Sequence, residues 1–272
     1  MSERILKALM QMFAIIAKVD GLSNTGRSIV QSFLKQQLNQ EMVEQYLQIF
    51  DQYLEEYHKV SQKKEGAAKR TSLGSVKILK ICTQINTELT QKQKVVVLVR
   101  LLEFIYSSND ISPQELEFVT TVAETFNISD EEFKRKVDFV KSKEDVVQDS
   151  PFLLVIDNKE AKPNFNVKHI QSVHLNGQIR VLHIPSVSMY VMRYFGTDAL
   201  YLNGQVIAQD KLYILTEGSS IRSPRVHPIY YSDIISRFLS DTSKSKTSFV
   251  AEIQEYKFPT GKVGLRNVNI YE

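Results

Sequence analysis

The sequence has few of the residues that mark secreted or membrane-spanning proteins. It contains one cysteine and no tryptophan in 272 residues. The single thiol, Cys82, excludes an internal disulfide and is typical of a protein from a reducing compartment. No apolar run approaches the roughly 20 residues that a membrane-spanning helix requires. We therefore expect a cytoplasmic protein. A location at the inner face of the cell membrane is compatible with the same observations.

The chain also lacks a strong excess of charge. Its formal net charge is +3, which is too small to indicate nucleic-acid binding by itself. The most basic stretch, Lys59–Arg70, contains no aromatic side chain on which a base could stack. It interrupts the apolar pattern, so it is either a contact with an anionic membrane surface or a solvated connection between helices. We expect no nucleic-acid partner.

Catalytic motifs are missing as well. No G-x-x-x-x-G-K-[ST] segment occurs, because Val263 follows Gly261-Lys262 and Tyr256 occupies the place of the upstream glycine. No Ser/His/Asp or Cys/His set can be assembled. We therefore predict no enzymatic activity and no cofactor for this chain itself.

The first half of the sequence, residues 1–146, predicts an all-helical domain. Apolar residues recur at helical spacing, and Ser112-Pro113-Gln114-Glu115 combines a capping serine, a proline at the first helical position and a glutamate that reaches back. The segment from Phe13 aligns with the segment from Leu102 as an imperfect internal repeat, each unit being helix, polar turn and capped helix. Two such hairpins can bury their apolar faces together.

Residues from about 5 to 140 resemble the TerB-like domain family, whose helical pairs carry a turn of the type A-D-G-x-[ST]-x-x-E. The resemblance implies a metal-binding role for acidic residues of these turns. Asp20 fits the first turn, and Asp110 and Glu115 belong to the second. However, Gly26 stands where the first turn should have its glutamate, and Asn109 stands where the second should have its aspartate.

Two interpretations of these turns remain. Asp20, Asp110 and Glu115 could converge across the internal repeat as oxygen ligands for a hard cation. Alternatively, the serines of the turns and Glu115 only cap helices, which would account for these residue types without a metal.

The second half, residues 151–240, predicts a β-sandwich. Short segments of alternating pattern are separated by turn signals, and two Asn-Gly pairs stand out. Asn176-Gly177 predicts a hairpin between His169–Leu175 and Gln178–Ile184. Asn203-Gly204 predicts a second, smaller hairpin, and Ile229–Leu239 indicates a strand entering a short helix.

Part of this region resembles a forkhead-associated domain. Leu200-Tyr201-Leu202-Asn203-Gly204, followed after a spacer by Leu212–Ile221, is similar to that family's ending "t-x-V-N-G … L-x-x-G-D-x-I". The Gly-Arg that helps that family bind phosphothreonine has no counterpart, and Ser172-Val173-His174 is only a partial match to its S-R-x-H. We expect the family's shape without its phosphopeptide binding, because the bidentate arginine is missing.

The last segment, residues 248–272, predicts a β-hairpin. Strand-like runs Phe249–Phe258 and Val263–Tyr271 flank the turn Pro259–Lys262. The stretch resembles the opening strands of an ABC-transporter ATPase domain, in which an aromatic stacks on adenine. That position falls on Phe258. A two-stranded ribbon is marginal alone in water, so the hairpin either completes the sheet of the preceding domain or, as the resemblance implies, begins a further domain in a longer protein.

The whole order resembles the N-terminal region of a bacterial ABC-transporter ATP-binding protein. The fold expected is α+β and multidomain: a helical domain, a β-sandwich and a C-terminal hairpin. The resemblance implies a non-catalytic regulatory or interaction region. ATP and Mg²⁺ would bind only in the longer protein, whose other parts, the remaining ATPase and a transmembrane domain, would be its partners. The alternative is a self-contained adaptor that binds partner proteins, phosphopeptides or a divalent cation.

Overall fold

A computed structural model of the protein describes residues 2–17, 24–35, 38–62, 67–107, 111–161, 166–239 and 250–271. Within these residues, seven helices precede the first strand: α1 (Glu3–Ile16), α2 (Asn24–Lys35), α3 (Gln40–Gln62), α4 (Ala67–Asn86), α5 (Gln91–Tyr106), α6 (Pro113–Thr125) and α7 (Asp130–Lys141). The first half is therefore helical, as predicted.

Helix α1 lies at the centre of the helical region. Most of its side chains are buried, including all those from Met12 to Ile16, and it packs against α3 and α4. The Phe13 ring contacts Phe33 of α2 at 5.9 Å and Phe104 of α5 at 5.4 Å between centroids. Burial of aromatic side chains on this scale is the main source of stability in such a core.

Polar side chains cap the starts of α3, α5 and α7. The side chain of Asn39 accepts a hydrogen bond from the Met42 N–H at the start of α3, and Thr90 and Gln93 form a capping box on α5. The Ser129 hydroxyl accepts from the N–H of Glu132 on α7. These bonds satisfy N–H groups that a helix leaves without intrahelical partners.

The connection predicted at Lys59–Arg70 is shorter than the sequence indicated. Helix α3 continues to Gln62 and α4 begins at Ala67, so most of the segment is helical. Lysine, glutamine, alanine and arginine are good helix formers, which explains why the helices extend into a stretch without apolar periodicity. Its residues 63–66 lie outside the described residues, and its contact with a membrane surface stays a prediction.

The second half forms two sheets and one helix. The strands are β1 (Leu153–Asp157), β2 (Lys168–Gln171), β3 (Gly177–Ile184), β4 (Met189–Gly196), β5 (Tyr201–Leu202), β6 (Gln205–Val206), β7 (Leu212–Leu215), β8 (Ser220–Arg222) and β9 (Ile229–Tyr230), and α8 (Tyr231–Leu239) follows them. The larger sheet has the order β2-β1-β3-β4-β7, and the smaller has β6-β5-β8-β9. A buried cluster contains side chains from both sheets, as a sandwich requires.

The hairpin predicted at Asn176-Gly177 is wrong. Strand β1 lies between β2 and β3, with Val155 opposite both His169 and Arg180, and β2 runs parallel to β1. Gly177 instead begins β3 with φ +129°, and a Cβ there would lie 2.3 Å from the Phe195 carbonyl oxygen. The glycine thus permits a close approach to β4, which the dipeptide alone could not distinguish from a turn.

The second Asn-Gly prediction is confirmed. Asn203 and Gly204 have φ values of 52° and 84°, and Tyr201 of β5 pairs with Val206 of β6 across the turn. Two consecutive positive φ values are typical of the type I′ hairpin turn. The predicted strand entering a short helix is also present, as β9 and α8.

Both faces of the larger sheet are buried. Leu153, Val155 and Leu182 belong to the same hydrophobic cluster as the helices, whereas Leu154 and Ile156 belong to the cluster beneath the smaller sheet. This alternation follows the period of two along a strand. The core of the helical region therefore continues onto the sheet.

An ion pair on α5 satisfies the outermost strand of the larger sheet. Arg100 and Glu103 contact each other at 2.6 Å and are almost fully buried. The Leu212 N–H of β7 donates to Glu103 Oε1, and the Leu212 carbonyl accepts from Arg100 Nη1, each at 2.9 Å. The two side chains thereby take the place of a neighbouring strand. They supply the hydrogen-bond partners that buried backbone groups at a sheet edge require.

Two arginines of the sheet bind the segment that leaves α7. Arg193 of β4 donates to the carbonyl groups of Phe139, Val140 and Ser142, and Arg180 of β3 donates to those of Lys143, Glu144 and Val146. The two arginines are opposite each other in register, and both stack on Phe195. We call Arg180, Arg193 and the backbone of residues 139–146 the arginine clamp.

A third polar contact joins α7 to the turn between β3 and β4. Lys136 is 1% exposed and pairs with Glu132. Burial raises the pKa of the Glu132 carboxyl, but hydrogen bonds from Lys136 and Ser186 outweigh it, so that the pKa lies below its usual value. Burial lowers the pKa of Lys136.

The C-terminal hairpin is a separate two-stranded sheet. Strands β10 (Val250–Lys257) and β11 (Val263–Tyr271) pair with each other, and the register shifts between Tyr256 and Lys257. Among the described strands, none from the two larger sheets pairs with this ribbon. The prediction of a hairpin at this place is confirmed.

We expect the α5 ion pair to be essential for stability. Glu103→Ala should lower the free energy of unfolding by about 3 kcal/mol or more, because it leaves the Arg100 charge and the Leu212 N–H buried without a partner. Urea unfolding monitored by circular dichroism measures the change.

The control is the exposed pair of Glu3 and Lys7 on α1, whose charged atoms are 2.7 Å apart, close to the separation in the buried pair. Glu3→Ala should leave the urea midpoint unchanged, because exposed pairs contribute little. Equal effects of the two substitutions would show that the buried pair does not hold the sheet edge.

Candidate functional site

The ribbon presents an aromatic pair to solvent. Tyr256 and Phe258 contact each other edge to face, with 5.4 Å between ring centroids, and each is 50% exposed. Gly264 lies across from them, where a Cβ would approach the Phe258 ring to 2.8 Å. Together with Leu265, these residues form an exposed apolar face on a ribbon of two strands.

Charged side chains flank this aromatic pair. Glu255 contacts Lys257 and Arg266, each at 2.7 Å. These contacts, first the hydrogen bond with Lys257 and then that with Arg266, hold the pKa of the Glu255 carboxyl below its usual value. The ribbon therefore combines an apolar face with a small network of paired charges.

The turn of the ribbon is closed by its own hydrogen bonds. The Gly261 N–H donates to the Phe258 carbonyl at 2.8 Å, and the Phe258 N–H donates to the Lys262 carbonyl at 2.9 Å. Phosphate loops need several backbone N–H groups directed at the ligand. The N–H groups of Phe258 and Gly261 are already engaged in this turn.

The acidic turns of the helical region are only partly described. Asp20 and Asp110 lie outside the described residues. Glu115 is 5% exposed, and its Oε2 accepts from the N–H of Ser112 at 2.7 Å and from the Ser112 hydroxyl at 2.8 Å. The capping role of Glu115 is thus confirmed. Within the described part of the chain, no group of three His, Cys, Asp or Glu side chains could hold a metal ion.

A groove of about 420 Å³ opens in the β region, between the β2–β3 connection and α8. Its polar lining includes Gln171, Ser172, His174, His227, Asp233 and Arg237. The Asp233 carboxylate accepts from the Tyr230 N–H at 2.9 Å, so it caps the start of α8. The partial S-R-x-H match at 172–174 thus lies at the rim of this groove.

An aromatic cluster seats α8 beside the groove. The His183 ring of β3 stacks on Tyr190 at 4.7 Å and contacts Phe238 of α8 at 5.0 Å. Tyr190 also meets Tyr231 at 5.7 Å. Burial lowers the pKa of His183, because the imidazolium form would lose its hydration among these rings.

A buried carboxylate fixes the parallel strand β2 against β1. Asp157 accepts hydrogen bonds from His169 and Gln178, each at 2.9 Å, and from the Lys159 N–H at 3.0 Å. Burial raises the pKa of Asp157, but these bonds lower it more, so that it lies below its usual value. The partners lie on separate strands, which is why spacing along the sequence gave no sign of this contact.

The geometry defines an α+β protein in which a bundle of seven described helices packs on a two-sheet β region. Residues 6–137 match the family described as Tellurite resistance protein TerB, and this match extends from α1 into α7. The helical part is therefore a TerB domain. No curated protein and no solved structure matches the chain significantly.

The TerB match confirms the resemblance seen in the helical half of the sequence. It covers slightly less than half of the chain and ends before the first strand. The resemblances of the β region and of the ribbon stay predictions. Among the helices that the structure describes, none combines the length and the apolar character needed to cross a membrane.

We expect the seating of α8 to depend on pH through His183. Because its folded-state pKa is depressed below about 6.5, the stability contributed by the neutral ring is present above that pH and is lost as pH falls through the folded-state pKa. The urea midpoint of the wild type should therefore fall between about pH 7 and about pH 5.

The variant His183→Phe keeps an aromatic ring and removes the titration, so its midpoint should fall less over the same range. The control His227→Gln removes an exposed histidine of the groove and should retain the wild-type pH dependence. A pH dependence that survives His183→Phe unchanged would assign it to another group.

We expect Glu115 to act through its helix cap. Glu115→Ala should lower the free energy of unfolding by about 1 kcal/mol in the presence of a chelator, because the capping box loses its reciprocal bond. Urea unfolding measures this, with the exposed Glu117→Ala on the same helix as the control.

Calcium titration of the wild type tests the metal interpretation in the same assay. A melting temperature that rises with Ca²⁺ in the wild type but not in Glu115→Ala would show that the acidic turns hold a cation. A melting temperature indifferent to Ca²⁺ in both would leave capping as the role of Glu115.

Proposed function

We propose that this chain is a cytosolic regulatory and interaction region of an ABC-type ATP-binding protein, and that it has no catalytic activity of its own. The TerB domain and the β region form one packed unit, and the ribbon belongs to an adjoining nucleotide-binding domain. ATP and Mg²⁺ would bind to the longer protein, whose transmembrane domain would be the second partner.

The observation that carries this proposal is the isolation of the ribbon. Strands β10 and β11 pair only with each other among the described strands, while Tyr256, Phe258, Val263 and Leu265 remain exposed. An isolated hairpin is marginally stable at best, and an apolar face of this kind favours burial against further structure. The sheet of an adjoining domain would supply that cover.

The second support is the position of the aromatic pair. Phe258 stands at the place where the ABC family has its adenine-stacking ring, directly before the turn at Gly261. A ring that is half exposed and supported from one edge by Tyr256 has a free face for a planar base. The phosphate-binding loop would have to come from outside residues 1–272.

The packing of the TerB domain supports a regulatory role. Arg100 and Arg193 join helices α5 and α7 to the larger sheet through buried hydrogen bonds, and Arg180 binds the connection after α7. A displacement of either helix would therefore strain the sheet, since packed interfaces switch between discrete arrangements rather than deform continuously. A signal received by the TerB domain has a physical route into the β region.

The gene sequence gives the most direct test. The reading frame downstream of the codon for Glu272 should encode G-x-x-x-x-G-K-[ST] within about 15 residues, because the opening strands of this family lead directly into the phosphate loop. A frame that ends there, or continues without that motif, would overturn the proposal. The adaptor alternative would then gain support, with the groove beside α8 as its binding surface.

In the longer protein, Phe258→Ala should weaken ATP binding about tenfold, because base stacking on an aromatic side chain contributes on this order. Fluorescent-nucleotide titration measures the affinity. Phe258→Trp should restore binding, and Tyr230→Ala, which removes a comparably exposed ring from the β region, should leave it unchanged. Wild-type affinity in Phe258→Ala would exclude the stacking role.

A further inference from the structure

A small cavity lies where the TerB domain meets the larger sheet. It has a volume of about 230 Å³ and lies between α7, the connection 142–150, β1 and β3. We call it the junction cavity. At about 30 Å³ per water, it has room for roughly eight water molecules, or for an organic ligand of similar size. Clefts between domains are common places for small-molecule sites.

The inner wall of the junction cavity contains a buried cation without a paired anion. Arg180 is 1% exposed, and its guanidinium donates to carbonyl groups of the arginine clamp and to the Gln178 side chain. All of these partners are neutral. Within the described residues, no carboxylate forms an ion pair with Arg180, whereas Arg193 pairs with Asp210 at 2.8 Å.

In the part of the chain that the structure describes, no carboxylate is in direct contact with Arg180, although the charges of Glu144, Asp145 and Asp210 act on it from a greater distance. Arg180 and Arg193 are opposite each other on adjacent strands. Burial, and then the charge of Arg193, lower the pKa of Arg180 to about 10, against the opposing effect of these three carboxylates. A buried charge is costly unless it is paired, so an anion in direct contact with the remaining Arg180 N–H would be favoured.

The mouth of the cavity adds further cations. Lys134 and Arg135 of α7 line it, and the Arg135 guanidinium stacks over Phe152 at 4.4 Å. Arg135 also has a long ion pair, at 3.9 Å, with the exposed Glu131. Two carboxylates also line the cavity, Asp138 and Asp149. The two carboxylate oxygens of Asp149 already accept hydrogen bonds from the Asn166 backbone N–H and side chain, at 2.6 and 2.9 Å. Three cations against two carboxylates leave a net positive lining.

The remaining wall is apolar. Phe139, Leu153 and Leu182 line the cavity and are buried in the core that the helices share with the sheet. A ligand for this site therefore needs an anionic head group and a short apolar part. The Arg135 guanidinium can bind a carboxylate or a phosphate through two N–H groups. Arg180 has one N–H left after its four hydrogen bonds to Gln178, Lys143, Val146 and Glu144.

We propose that the junction cavity binds a small organic anion, with its carboxylate or phosphate group between Arg135 and Arg180 and its apolar part against Leu153 and Leu182. The site is independent of the ATPase assignment, since it lies wholly between the TerB domain and the β region. A ligand there would contact both, and its binding would stabilise their packing.

The test uses the whole 272-residue chain and three probes: hexanoate, inorganic phosphate and the neutral analogue hexanol. Isothermal titration calorimetry should show saturable binding of hexanoate with a Kd of about 1 mM or tighter, and hexanol should not bind. Inorganic phosphate tests which anionic head group the site accepts. A site that selects only negative charge would bind phosphate as well as hexanoate.

Arg180→Ala would disrupt the arginine clamp, so the decisive variant is Arg135→Ala at the mouth. It should weaken hexanoate or phosphate binding about tenfold, since a hydrogen bond to a charged group is lost. Lys141→Ala on the same helix, away from the cavity, should leave the Kd unchanged. Absence of saturable binding of both anions, or an unchanged Kd in Arg135→Ala, would overturn the proposal.

Discussion

The structure depends on buried side-chain cations that satisfy backbone carbonyl groups. Arg193 binds the end of α7, Arg180 binds the connection after it, and Arg100 with Glu103 binds the backbone of Leu212. These contacts join α5, α7 and the connection after α7 to the larger sheet. Without them, the C-terminal carbonyls of α7 and the edge of β7 would be buried without partners, at a cost of about 1–3 kcal/mol for each group. The apolar core can form only because these groups are paired.

The division of the sequence into a helical and a β region does not divide the hydrophobic core. The TerB match ends at residue 137, and the first strand begins at Leu153. Yet the hydrophobic cluster that begins in α1 continues through Leu153, Val155 and Met189 of the sheet. The larger sheet thus has a helical layer on one face and a second sheet on the other, which makes it the middle layer of three. The boundary in sequence is a change of secondary structure within one continuous core.

Local signals in the sequence were sufficient for the elements whose partners lie close by. Ser112 and Glu115 are three residues apart and cap the same helix, and Asn203-Gly204 forms the turn of its own hairpin. The Asn176-Gly177 prediction failed because β3 does not pair with β2, the strand before it in the chain. Its two neighbours in the sheet are β1, about 25 residues earlier, and β4, which lies opposite Gly177. The same dipeptide therefore has two roles, and only the strand order distinguishes them.

The polar contacts between domains could not be predicted for a related reason. Arg193 and the carbonyl of Val140 are 53 residues apart, and Arg100 and Leu212 are 112 apart. An arginine that binds neutral carbonyls leaves no complementary residue type in the sequence, because every residue has a carbonyl. The two candidate sites differ in the same respect, namely whether the sequence alone reveals them. Phe258 could be found from a motif, whereas the cavity beside Arg180 required the fold.

The way in which the backbone at the edge of β7 finds its hydrogen-bond partners has a further consequence. A strand edge is usually covered by another strand or by bulky charged side chains, which tolerate single substitutions. Here, one ion pair covers the Leu212 backbone. If that pair is lost while the sheet persists, the strand offers unpaired N–H and C=O groups flanked by apolar side chains. Intermolecular strand pairing then becomes possible, so self-association into aggregates is the failure to which this architecture is most exposed.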